Sequence, residues 1–289
     1  MLKRFSIIIL LICSILFGGY PIDPIPEKVE FDKERASLGK ALFFDPNLSK
    51  DKKVSCNSCH KKEFAGSINK KRGIGVFGRE TKYNVPSIYN LRFQHVFGWE
   101  KKEYSLKKKI EDVMLDPTIM EADFNEIVRY IKNNSFYKDK FLKLYKKIDK
   151  DAVIDALYNY LITLNTPNSK FDRYLLGKES LSNKEKIGYE LFKSYGCIAC
   201  HNGKSIGGHF YFRLGYFLDT KSQKYIKCPS LRNINKTSPY FHDGSIKDLK
   251  EAVKRMATFQ LERIMSDEDA EYIVEFLKTL TGKVDDKKD

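Results

Sequence analysis

The sequence predicts a mainly α-helical chain built from two related domains in tandem, on three observations. The hexapeptide "SCNSCH" at residues 55–60 returns as "GCIACH" at 196–201, so Cys56, Cys59 and His60 are matched in spacing by Cys197, Cys200 and His201. The approach to each motif repeats as well: "LGKALFF" (38–44) and "IGYELFK" (187–193) share a Gly-x-x-Leu-Phe core. Elsewhere apolar residues recur at helical spacing, and few long alternating runs argue for strands. At 289 residues and 42% hydrophobic content the chain buries a proper core, and its length suits two domains.

Taken in order, the chain opens with "MLKRFSIIILLICSILFGGY", a short basic start, an apolar run and then small residues, which is the layout of a secretory signal peptide over residues 1–20. The apolar run is short for a transmembrane helix, which needs about 20 residues, so an uncleaved anchor is the weaker alternative. Ile12 before Cys13 is bulkier than lipidation signals use. The first domain is expected over 21–165. Within it, residues 61–99 are glycine-rich and irregular, a long loop of a kind that either wraps a ligand or lies as inert surface. "ADFNEIVRYIKNN" (122–134) and "DAVIDALYNYLITLN" (151–165) read as amphipathic helices. Pro167, Asn168 and Ser169 in "TPNSKFDRYLLG" (166–177) mark the domain boundary, and the second domain is expected over 166–289. There, capping boxes at Ser182/Glu185 and Ser266/Asp269 start helices over 182–195 and 266–281, and "KDLKEAVKRMATFQL" (247–261) forms another.

The formal charge is +14, and it stays at +12 without the first twenty residues, which hold Lys3 and Arg4 and no acid. Such a field speeds encounter with acidic partners or an anionic membrane surface. The lysines are spread over many helices with no nucleic-acid motif among them, which argues against nucleic acid as the partner.

An exported chain makes disulfides the bland reading of paired cysteines, and four cysteines in two pairs also suit a zinc shell. Neither explains a histidine directly behind each second cysteine. Covalent haem attachment does: two thioether bonds fix the porphyrin edge and the adjacent imidazole ligates the iron. The motifs therefore predict two c-type haems, one per cytochrome c-like domain, with His60 and His201 as axial ligands. The opposite axial positions decide the function, because a second protein ligand makes an electron-transfer haem and an open position admits a small molecule. His95, His209, His242, Met114, Met120, Met256 and Met265 are the candidates, and periodicity does not choose among them. Met256 shares a helix face with Ala252 and Phe259, a pattern that core packing explains as readily as ligation.

The segments "ASLGKALFFDPNLSKDKKVSCNSCH", "TPNSKFDRYLLG", "LFKSYGCIACHNG", "CPSLRNINKTSPYFHDGSIKDLKEAV" and "RMATFQL" resemble the bacterial diheme cytochrome c peroxidase and MauG family over essentially the whole mature chain. The resemblance implies that peroxide reacts at the N-terminal haem and that the C-terminal haem passes it electrons. It implies Met256 as the second ligand of the C-terminal iron. It also implies a calcium ion between the haems, at Asn84, Thr237 and Pro239, and an electron-transfer role for Trp99, the sole tryptophan. His242 matches a family residue that hydrogen-bonds near the haem and does not ligate.

The chain departs from the family pattern at several positions. Val76 stands where a capping histidine sits in many members, Lys109 at the position of a family glutamine, and Ile119 at that of a family glutamate. Isoleucine carries no proton, so Glu121, with Glu111 and Asp116 nearby, is the substitute acid–base candidate. "FGWEKKE" (97–103) is altered around Trp99, His95 beside it is either a replacement distal ligand or a surface residue, and Cys228 is expected to be buried and inert near the second haem. The expectation is an exported, periplasmic peroxidase-type oxidoreductase. Its expected partners are hydrogen peroxide and a small acidic donor, a c-type cytochrome or cupredoxin, with a homodimer as a further option. The alternatives are a non-enzymatic diheme electron carrier and a MauG-like oxidase of a protein partner.

Overall fold

The computed structural model describes residues 21–100, 102–215 and 224–284, so the expected signal peptide lies outside the described residues. The fold is mainly helical, as the sequence implies. The helices are α1 (Lys33–Phe44), the single turn α2 (Cys56–Cys59), α3 (Leu106–Leu115), α4 (Phe124–Asn133), α5 (Ser135–Tyr145), α6 (Lys150–Leu161), α7 (Lys170–Leu175), α8 (Asn183–Ser194), α9 (Leu249–Leu261) and α10 (Asp267–Lys278). One antiparallel ribbon, β1 (Tyr211–Arg213) with β2 (Tyr225–Lys227), completes the named elements. Residues 61–99 are irregular, held by short 3-10 turns.

The helix starts follow local chemistry. Asp32 accepts from the Arg35 amide at 3.0 Å to open α1. Ser182 and Glu185 satisfy each other's backbone N–H groups as a full capping box. At Ser266 only half of the expected box forms: its hydroxyl accepts from the Asp269 amide, but the Asp269 carboxylate accepts instead from Tyr195 Oη at 2.7 Å and ties α10 to the end of α8.

The repeated Gly-x-x-Leu-Phe lead-in has a steric reason. Gly39 lies on α1 where it crosses α6, and Gly188 on α8 where it crosses α10. A β-carbon at Gly39 would stand 1.9 Å from the Ala156 carbonyl oxygen, and one at Gly188 would stand 1.8 Å from that of Tyr272. Each crossing is therefore backbone against backbone, closed by the buried phenylalanine four residues on: Phe43 on Tyr160 and Phe192 on Phe276. The two halves share one device and have separate cores, the first running from Leu38 to Leu164 and the second holding Phe171, Tyr189, Phe192 and Phe276. Residues 21–25, which the sequence groups with the first domain, lie on the second. Ile22 is in its core, the Gly203 amide donates to Pro21 O at 2.8 Å, and the Ile25 amide donates to Asp172 at 3.1 Å.

A second internal repeat becomes visible in the structure: "PSIYN" (86–90) and "PSLRN" (229–233). Both terminal asparagines are left-handed, Asn90 at φ 62° and Asn233 at φ 61°, a conformation asparagine tolerates better than most residues. Both donate Nδ2–H to the same hydroxyl, Thr166 Oγ1, each at 2.8 Å, and Thr166 returns its amide to Asn90 Oδ1. All three are essentially fully buried, so one threonine joins the halves. Thr166→Val keeps the shape and strands two buried amide donors; at about 1–3 kcal/mol for each, thermal or denaturant unfolding is expected to show a loss of about 2–6 kcal/mol. A change within ±0.5 kcal/mol would show that this joint carries no stability.

Candidate functional site

The N-terminal motif is built on α2. The His60 amide donates to Cys56 O at 3.0 Å, which folds the histidine back under the turn that carries both cysteines. His60 Nδ1 is 2.9 Å from Gly66 O, and a carbonyl accepts only, so the proton is on Nδ1 and Nε2 keeps its lone pair. The C-terminal motif repeats this arrangement: the His201 amide donates to Cys197 O at 3.0 Å, and Nδ1 donates to Ile206 O at 3.3 Å. Burial disfavours the imidazolium in both, lowering His60 and pulling His201 down to about 4. Both imidazoles are therefore neutral, oriented and ready to ligate.

Each histidine's carbonyl partner has a second donor. Gly66 O also accepts from the Ile88 amide at 3.1 Å, and Ile206 O from the Leu231 amide at 3.0 Å. Ile88 and Leu231 occupy the same position in the two Pro-Ser repeats, whose serines brace each loop through Ser87 to Ala65 O and Ser230 to Ser205 O. Ligand orientation in both halves thus rests on one repeated piece of backbone. Sequence reading missed it, although the repeated Pro-Ser-x-x-Asn was the available signal.

The four motif cysteines are free thiols. Burial raises all of them, Cys56 to about 12 and Cys197 to about 11, the opposite of what a thiolate zinc shell requires. Among the described residues no group of three or more His, Cys, Asp or Glu side chains converges as a metal site would. Neutral thiols beside a neutral histidine suit thioether attachment of haem.

One large cavity, enclosing about 1570 Å³ with its open mouth, tests that fit. Cys197, Cys200 and His201 line it, and so does Met256 from α9. Met256 is half-buried and lines this space together with Ala252, whereas Ala257 belongs to the second core and Phe259 is exposed. An axial histidine, two attachment thiols and a thioether on one cavity fit a c-type haem. His242 lines the same cavity, and its Nδ1 is buried without a partner. An unpartnered polar nitrogen there suits a carboxyl group at a haem edge.

The cavity also gathers Trp99, Asn84, Thr237 and Pro239. Trp99 is buried, its indole N–H donates to Asn84 O at 2.8 Å, and its ring centroid is 6.5 Å from that of His242. The Asn84 amide group donates to Lys70 O and Lys71 O. Cys228 is buried with Sγ 3.5 Å from His201 Nδ1 and 3.4 Å from Cys200 O, and burial raises its thiol. Beside it Lys227, unnoticed in the sequence, is buried with Nζ 3.1 Å from Gln94 Oε1; desolvation brings it down to about 8.

The remaining candidates lie elsewhere. Met114 and Met120 are buried in the first core and Met265 in the second. His95 is exposed, with its ring 5.1 Å from that of His209. Val76 is fully buried and its amide donates to Ile119 O at 3.0 Å, so the two positions that depart from the family pattern touch. Lys109 lies over Gly98. Glu121 takes a left-handed backbone and pairs its half-exposed carboxylate with Arg79, which also donates to Pro117 O at 2.7 Å. Glu111 pairs with Lys108 and Lys150, and Asp116 caps its own turn through Thr118.

Comparison with known proteins agrees with this geometry. The family model described as di-haem cytochrome c peroxidase matches residues 33–180, and that of cytochrome c matches 185–281. The chain is 34% identical to the cytochrome c551 peroxidase of Nitrosomonas europaea, over 95% of this chain and 88% of that protein. It is 28% identical to the methylamine utilization protein MauG of Methylorubrum extorquens, over 90% and 82%. In fold it matches a MauG-like protein associated with microbial copper homeostasis, with a TM-score of 0.79 at 23% identity, covering 94% of this chain and 96% of that one. The repeated attachment motifs, the two oriented histidines and these matches place the chain in the di-haem cytochrome c peroxidase family, peroxidase-type oxidoreductases with two covalently bound c-type haems.

Proposed function

We propose that the protein reduces hydrogen peroxide at its N-terminal half with electrons that enter at its C-terminal half. The observation that carries this reading is the single cavity on which His201, Met256 and Trp99 meet. Bound haem would supply the iron that takes up peroxide in one half and stores electrons in the other. The chain's own residues do the rest. His60 and His201 present Nε2 because their Nδ1 protons are held by Gly66 O and Ile206 O. Met256, on the same cavity as His201, would help hold the C-terminal haem, and its thioether would raise that group's potential as an electron-entry site requires. Trp99, fixed by Asn84 O, stands on the wall of that cavity as the electron path toward the other half. The donor is a small acidic redox protein, matched to a chain of charge +12 without its leader. Export to the periplasm is supported by the leader-like residues 1–20, and among the described residues no helix is long and apolar enough to cross a membrane.

Peroxide cleavage needs a proton carrier, and Glu121 is assigned that role. It lies on the 116–121 loop whose backbone receives Val76, and its ion pair with Arg79 must open for it to act. That pairing, with Lys109 and Ile119 in the altered positions, favours the second reading, a diheme electron carrier without peroxide chemistry. Stopped-flow absorbance of the reduced haem-loaded protein with hydrogen peroxide separates them. Rapid oxidation of both haems is expected, slowed roughly 100-fold in Glu121→Gln. Haem bands that peroxide leaves reduced would establish the carrier.

Replacement of Met256 by alanine is expected to convert the C-terminal haem from low-spin to high-spin and to lower its potential. An unchanged spectrum removes Met256 from the ligand set. Calcium is assigned to Asn84, Thr237 and Pro239, supported by their place in the lining of one cavity and by the oxygen ligands calcium prefers. Calcium at about 100 times its Kd should stabilise chelator-treated protein by about 2.7 kcal/mol and leave Asn84→Ala unmoved. Equal midpoints with and without calcium for the native chain would remove the site.

A further inference from the structure

Trp99 is connected to the protein surface through a tyrosine that neither the attachment motifs nor the axial ligands involve. The indole N–H of Trp99 donates to the carbonyl of Asn84, and Tyr83 is the residue before it. Trp99 is followed in sequence by Glu100, and the Tyr83 hydroxyl donates to the Glu100 carboxylate. Two short routes thus join the rings: one peptide unit plus a hydrogen bond on one side, and the phenol–carboxylate bond on the other. His242 neighbours both rings, its centroid 6.3 Å from that of Tyr83 and 6.5 Å from that of Trp99. Tyr83 is half-buried, so the route that begins at a buried tryptophan ends at the boundary with solvent.

We infer that Tyr83 is a redox-active relay for the oxidising equivalents that peroxide generates, with Glu100 as the acceptor of its proton. The inference rests on the peroxide reading above. In the step proposed, the phenol O–H bond breaks, its proton passes to the Glu100 carboxylate, and one electron leaves the ring through Trp99 toward the peroxide-oxidised haem pair. The products are a neutral tyrosyl radical and a neutral Glu100. An electron arriving from the C-terminal half through Trp99, with return of the proton, restores the phenol and the carboxylate.

The surroundings favour this coupled path over loss of an electron alone. Lys82 Nζ stands 4.8 Å over the Tyr83 ring, so a radical cation there would face a positive charge. Glu100 is also paired with Lys82 and Lys224, each at 3.4 Å. The Tyr83 hydroxyl donates to this carboxylate, so the proton stands on the group that must lose it.

The test uses haem-loaded full-length protein, mixed with one equivalent of hydrogen peroxide without reductant and freeze-quenched. Electron paramagnetic resonance is read alongside haem absorbance. The native chain is expected to give an organic radical signal that narrows when tyrosine rings are deuterated. Tyr83→Phe should lose that signal and keep the peroxide-driven haem changes. Glu100→Gln, which retains a hydrogen-bond partner but not the base, should form the radical roughly 100-fold more slowly. A deuteration-sensitive signal undiminished in Tyr83→Phe, or haem oxidation with no tyrosyl signal in the native chain, overturns the relay. Haem bands that peroxide leaves unmoved here and also in the reduced protein overturn the functional reading itself, and the relay with it.

Discussion

The structure depends most on one repeated interaction, a backbone carbonyl shared by the Nδ1–H of a motif histidine and the amide of a Pro-Ser loop. Gly66 O holds His60 and Ile88, and Ile206 O holds His201 and Leu231. The bond to the ring fixes its tautomer and its rotation, which a metal-binding histidine requires of its outer partner. The bond to the loop fixes where the chain goes next. Two residues further on each loop turns through a left-handed asparagine, and both asparagines end on Thr166. Ligand orientation and the joint between the halves are therefore set by the same loops, and loosening one disturbs the other.

Around the second site a buried ion pair adds to this constraint. Arg232, one residue before Asn233, lies 2.7 Å from Asp172 with both side chains out of solvent. An isolated buried charge would be costly, but every group here has partners. The guanidinium also donates to Lys204 O and Asp23 O, and the carboxylate accepts from Ser169 and from the Ile25 amide. Four separate stretches of chain meet at this pair, which explains why residues 21–25 fold onto the C-terminal half.

How legible each feature was in the sequence follows from where its cause resides. The attachment motifs and the Gly-x-x-Leu-Phe lead-ins carry their reasons in side-chain identity or in its absence, and Gly39 and Gly188 could be read as a repeat before the crossings that require them were seen. Helix starts at Ser182 and Asp32 are local and were equally open to reading. Ser266 was half-read, because its partner Asp269 is claimed by Tyr195, 74 residues away. The carbonyls of Gly66 and Ile206 leave no sequence trace, since any residue supplies one. Met256 was ambiguous for a different reason: helical periodicity gives a face without saying whether core or cavity lies opposite. Glu121 illustrates the same limit, since its pairing with Arg79 joins loops 42 residues apart.

Burial of charge finally distinguishes the two halves. Among the described residues the buried cationic side chains are Lys227 and Arg232, and both belong to the C-terminal half. Arg232 is neutralised by Asp172, so its field is largely cancelled at a distance. Lys227 has a neutral partner in Gln94, and with its ammonium brought down only to about 8 it stays mostly charged at neutral pH. An uncompensated cation in the wall of a cavity favours the electron-rich state of whatever redox group the cavity holds. On the proposed ligation, the Met256 thioether would act in the same direction. Both features would then bias electrons toward the C-terminal cavity, and Trp99, whose carbonyl accepts the Lys227 amide at 2.9 Å, is built into the same wall.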